Sequence, residues 1–108
     1  MTKNQQISAL LIELGKISGL SVSRNQASER NDKEYLMVEY SSAYGGYRLV
    51  TVSVDGGGQS GAFYRSGCEG RVNFATFTLY LSSLIAGIRF AKETILPNVL
   101  SNLNIPLD

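Results

Sequence analysis

The segment "NFATFTLYLSSLIAGIRFAKE", residues 73 to 93, constrains the fold of this chain more than any other. Phe74, Phe77, Leu81, Leu84, Ile85 and Ile88 form one apolar stripe at helical spacing. Leu79, Ala86 and Phe90 form a second. Only Thr78, Ser82, Arg89, Lys92 and Glu93 are plainly outward. A helix that is apolar round most of its girth needs cover round most of its girth. The spacing therefore predicts a long helix over 73–94, capped by Asn73, whose surface exceeds what one small subunit hides. Leu96 precedes Pro97 and is expected to leave the helix, with Pro97 opening a last short turn, "PNVLSNL".

The rest of the chain supplies one more helix and a few strands. Ile7, Leu10, Leu11, Leu14 and Ile17 predict a helix over 4–17, with Thr2 or Asn4 as cap and Gly19 as stop. "RNQASERNDKE" (24–34) has no period and is expected to be a surface loop, after a possible short strand at 20–23. "EYLMVEY" (34–40), "GYRLVTVSV" (46–54) and "SGAFYRS" (60–66) are the expected strands. In the second, Val50, Val52 and Val54 share one face, and Tyr47, Leu49, Thr51 and Ser53 share the other. Short links favour an antiparallel meander over parallel crossovers. The expected fold is α+β: a two-layer, α-β-β-β-α domain spanning residues 1–108. Its three-stranded antiparallel sheet packs its valine face on the two helices. With two sheet edges and a second face also left over, self-association is the simplest cover.

Composition removes several classes of function. The 108 residues contain no His and one Cys, Cys68. Zinc sites of Cys and His, and Ser-His or Cys-His nucleophile pairs, are thus excluded within one chain. A lone Cys forms no intrachain disulfide and fits a reducing cytoplasm. Ten Lys plus Arg against nine Asp plus Glu is too near neutral for a protein that grips long nucleic acid by charge. The N-terminus lacks a signal-peptide pattern, and the apolar run 74–88 falls short of a ~20-residue span. A soluble, cytoplasmic protein is expected, with no cofactor and no metal.

The glycines then need an account. Gly56, Gly58 and Gly61 satisfy G-x-G-x-x-G after a strand, but "AFYRSG" follows where a nucleotide site needs a helix. "DGGG" is therefore expected to be a hairpin turn. "SAYGGYRL" is expected to be another turn, and it also carries the best candidate for a binding surface. The candidate ligand-binding residues are Tyr44, Gly45, Gly46, Tyr47, Arg48, Arg65 and Arg71. Tyrosine offers a rigid face with a polar tip, glycine allows close approach, and arginine pairs with anions in two-point fashion. Arg48 falls on the face of Val50 and Val52, where it either snorkels at the sheet margin or is buried with a partner. Arg71 precedes the long helix, whose N-terminus favours anions. Glu34 and Glu39 face opposite ways along their strand, and no base accompanies Cys68.

Tyr44-Gly-Gly-Tyr47, the strand after it, the Gly56–Gly58 turn and the Ala86-Gly87-Ile88 step resemble small accessory proteins of phages and prophages, over about two-thirds of the chain. The resemblance implies an oligomeric binder of the anti-defence type, some of which sequester signalling nucleotides. The expected function is a non-enzymatic homo-oligomer that binds an anionic small molecule such as a nucleotide, or a host protein. The alternative is a structural or protein-interaction role without a ligand. Single-strand nucleic-acid binding by tyrosine stacking, and a hydrolase or transferase activity, are disfavoured by the charge balance and the missing His.

Overall fold

The computed structural model describes residues 1–23, 33–43, 45–54, 59–61 and 70–104. Helix α1 runs over Lys3–Ser18. The Thr2 hydroxyl accepts from the Gln5 amide while the Gln5 side chain accepts from the Thr2 amide, closing a capping box. Gly19 ends the helix at φ 76°, donating to the Gly15 carbonyl. Ile7, Leu11 and Leu14 are buried, as their spacing requires.

The sheet is mixed, with strand order β1-β2-β3-β4. Strands β2 (Tyr35–Ser41) and β3 (Gly46–Val52) pair antiparallel over their whole lengths, with Glu39 opposite Arg48 and Tyr40 opposite Tyr47. Strand β4 (Gln59–Gly61) pairs antiparallel with the far end of β3. Strand β1 (Val22–Ser23) corrects the expected antiparallel meander, because it lies parallel to β2. The expected turn at Gly56–Gly58 and the third expected strand beyond Gly61 lie outside the described residues.

The two faces of the sheet are not used as the sequence suggested. Leu36, Val38 and Leu49 join Ile7, Leu11, Leu14, Phe77, Leu81 and Ile85 in the main core. Val50 and Val52 lie on the opposite face, in a second buried cluster with Tyr35 and Met37. The helices therefore cover the Tyr47–Leu49 face and not the valine face, and Val54, past the strand end, is exposed. The reason is that both faces of β2 are apolar, so alternation alone does not choose between them. The ring of Tyr47 stacks on Phe77 at 5.6 Å and commits the odd-numbered face of β3 to the helices.

Helix α2 spans Phe74–Phe90, with the Asn73 side chain accepting from the Thr76 amide at its start. It does not stop before Pro97. A π-helical turn over Ala91–Ile95 carries it into α3, Leu96–Asn102. The Leu96 amide reaches back five residues to the Ala91 carbonyl, and this wider turn makes room for a proline ring that an ordinary helix interior rejects. The continuous helix of 29 residues is long and apolar enough, by those measures alone, to cross a membrane. Phe77, Leu81 and Ile85 are buried, and Phe74, Leu84 and Ile88 pack against the core. Leu79 and Phe90 are 63% and 56% exposed, so the second apolar stripe has no cover from the described residues of its own subunit.

Candidate functional site

The hairpin divides the predicted site between two faces. Gly45 (φ 94°) and Gly46 (φ 124°) form the turn between β2 and β3. Tyr47 and Arg48 are neighbours along β3, so their side chains leave on opposite sides. Tyr44 and Arg65 lie outside the described residues. Gly46 has a structural task besides the turn: a Cβ there would collide with the Val72 carbonyl. Tyr47 and Val72 exchange two backbone hydrogen bonds, of 2.8 and 2.9 Å, which dock the run-in to α2 against β3. The close approach that glycine allows here is thus first to the chain's own backbone.

On the helix face, the Tyr40 and Tyr47 rings sit 4.7 Å apart at a 41° tilt. Phe74 meets Tyr47 edge-on at 6.0 Å, and the Lys3 ammonium lies 5.3 Å from the centre of the Phe74 ring. The N-termini of α1 and α2 come together at this end of the sheet. A groove of about 520 Å³ runs between Thr2, Lys3, Asn4, Val38, Tyr40 and Tyr47. It adjoins a hollow of about 290 Å³ bordered by Lys3, Tyr40, Gly45, Gly46, Tyr47 and Phe74. These volumes fall in the range of small-molecule sites, typically ~300–1,000 Å³. Tyr40 is 58% exposed, whereas Tyr47 is anchored on Phe77. One ring is therefore free to take a ligand while the other is fixed by the core.

On the other face, Glu39 lies between two arginines. Arg48 Nη2 donates to Glu39 Oε2 at 3.1 Å, and Arg71 Nη2 pairs with Glu39 Oε1. The Arg48, Arg71 and Glu39 side chains are 30%, 16% and 23% exposed. The cluster ties β2, β3 and the run-in to α2 through charge, alongside the Tyr47–Val72 backbone bonds. Of the two alternatives for Arg48, the structure shows the partnered one, although its buried Nε–H makes no hydrogen bond with the described residues. Arg48 and Arg71 consequently sit across the sheet from the aromatic groove and do not line it.

Lys3, Tyr40 and Phe74 were not among the residues predicted for a site. Tyr40 was within reach of the sequence: a turn centred on "SAYGG" sets it opposite Tyr47. Lys3 was not, because only the packing of α1 beside α2 brings it to the sheet. Among the described residues, no three His, Cys, Asp or Glu side chains group as a metal site requires. No protein-family model, curated protein or solved structure matches the chain.

Proposed function

We propose that this chain is a non-enzymatic, self-associating binding protein of the phage accessory kind, and that its groove takes an anionic small molecule with an aromatic ring, such as a signalling nucleotide. The observation that carries this reading is the exposed Tyr40 ring, held against Tyr47 with Lys3 beside it. A base stacks on Tyr40, a phosphate pairs with Lys3, and two helix N-termini favour negative charge at the same end. Gly45 and Gly46 keep the rim low. Arg48 and Arg71 serve the site indirectly, by fixing the strand pair and the start of α2. In this reading the domain is two-layered, works in the cytoplasm, and withholds its ligand from another protein.

Isothermal titration of cyclic and linear nucleotides into wild type, Lys3→Ala and Tyr40→Ala tests it. Saturable binding that weakens at least about tenfold in each variant supports the groove, tenfold being ~1.4 kcal/mol. No heat with any nucleotide removes the small-molecule reading. The alternative, a protein-interaction role with no ligand, is favoured by the exposed Leu79, Phe90, Ile95, Leu96, Val99 and Leu103. Native mass spectrometry separates the two: a small retained mass supports the groove, and a co-purifying larger partner supports the alternative.

A further inference from the structure

The aromatic groove has two compartments. The larger, of about 520 Å³, lies on the α1 side with Thr2 and Asn4 in its wall. The smaller, of about 290 Å³, lies on the α2 side with Ser42, Gly45 and Phe74 in its wall. Lys3, Tyr40 and Tyr47 belong to both walls and so form the seam between them. Each compartment is near or above the ~300 Å³ at which small-molecule sites begin, so each holds one ring system by itself. Gly45 has nothing within 4 Å of where its Cβ would be, which leaves the smaller compartment open on the side of the turn.

Charge in this groove is single and central. Among the described residues, Lys3 is the one charged side chain in either wall, and no carboxylate pairs with it. Its ammonium lies 5.3 Å from the centre of the Phe74 ring. A ring face offers no lone pair to its three N–H donors, so they remain for an incoming anion. Arg48 and Arg71 are held by Glu39 on the opposite face of the sheet and add nothing to the groove. The anion of a ligand that fills both compartments therefore sits at its middle and is matched by one positive charge. A terminal phosphate fails on both counts: it stands at one end of its molecule and carries about −1.5 to −2 at pH 7. A phosphodiester meets both, because it carries one negative charge and joins two groups.

We infer that the ligand of this groove is a free dinucleotide, two nucleosides joined by one phosphodiester. One base stacks on the exposed Tyr40 ring in the larger compartment, the other lodges beside Phe74 in the smaller, and the linking phosphate pairs with Lys3 at the seam. This rests on the nucleotide reading proposed above and names the class of nucleotide. Packing one base on an aromatic side chain is worth on the order of tenfold in affinity, so the second base separates a dinucleotide from either of its halves. A longer single strand gains little more, since each further phosphate needs a further cation and Lys3 stands alone in the described walls.

Isothermal titration of the whole chain with the full set of dinucleoside monophosphates, the matching 5′-mononucleotides and the matching hexanucleotides tests it. At least one dinucleotide is expected to bind about tenfold tighter, or better, than either of its mononucleotides. Its affinity is expected to fall with salt as one ion pair requires, with a logarithmic slope of about −0.7. Asn4→Trp and Ser42→Trp fill the larger and the smaller compartment from exposed positions. Each is expected to keep wild-type circular dichroism and to weaken the dinucleotide at least tenfold, whereas a mononucleotide is weakened by no more than one of them. Dinucleotides that bind no tighter than mononucleotides, or that ignore Ser42→Trp, overturn the two-part ligand and leave the nucleotide groove standing. A hexanucleotide that binds tenfold tighter than its dinucleotide, with a steeper salt slope, overturns it in favour of a strand. No binding of any nucleotide overturns this inference together with the nucleotide reading beneath it.

Discussion

Gly46 meets the carbonyl of Val72 with no space for a side chain, and the two hydrogen bonds between Tyr47 and Val72 depend on that approach. Gly46→Ala introduces both a collision and a strained φ of 124°. It is expected to cost about 2–4 kcal/mol in urea unfolding. Gly45→Ala, at φ 94° but with nothing within 4 Å of its Cβ, is expected to cost only about 1 kcal/mol. Equal losses at the two positions would show that turn conformation, and not the Val72 contact, is what Gly46 supplies.

Glu39 is shared by two guanidinium groups, so removing it differs from removing either arginine. Glu39→Gln removes the carboxylate that both guanidinium groups share, with an expected loss of about 1–3 kcal/mol. Arg48→Leu is expected to cost less, because it also removes a buried Nε–H that has no hydrogen bond. Urea midpoints in low and high salt check this, and the Glu39→Gln loss is expected to shrink as salt screens the two arginines.

Tyr40 and Tyr47 are paired rings with different duties. Tyr40→Ala removes an exposed face and is expected to change stability by less than about 1 kcal/mol while weakening the proposed nucleotide binding at least about tenfold. Tyr47→Ala removes the ring stacked on Phe77 and is expected to cost about 2–4 kcal/mol. Thermal unfolding read beside titration separates the two. A Tyr40→Ala protein that binds as wild type does would place the ligand elsewhere.

Thr2 closes the capping box of α1 and lines the groove. Thr2→Ala is expected to lower stability by about 1 kcal/mol, and Thr2→Ser to retain most of it. Circular dichroism during urea titration checks both.

The helices were legible because their apolar positions recur with one period: Ile7, Leu11 and Leu14 in α1, and Phe77, Leu81 and Ile85 in α2. The sheet faces were not. Leu36 and Val38 alternate with Tyr35 and Met37, and a strand apolar on both sides carries no mark of which side a helix will cover. Pro97 misled for a different reason. A rule about the residue before proline is local, and the π turn that lets Leu96 stay helical depends on several preceding residues at once. Of the expected site, the turn glycines and Tyr47 stand at the groove, and Arg48 and Arg71 stand behind the sheet. The groove draws on Lys3, Tyr40 and Phe74, which lie far apart in sequence, and no single stretch of the chain spells it.

The extra residue accommodated between Ala91 and Ile95 makes this part of the protein sensitive to length more than to chemistry. Deleting one amino acid there would restore ordinary winding and swing Val99 and Leu103 about a quarter-turn round the rod, with every other side chain preserved. Relatives of this chain should accordingly tolerate swaps of one aliphatic residue for another near its carboxyl end, and resist single-codon gains or losses.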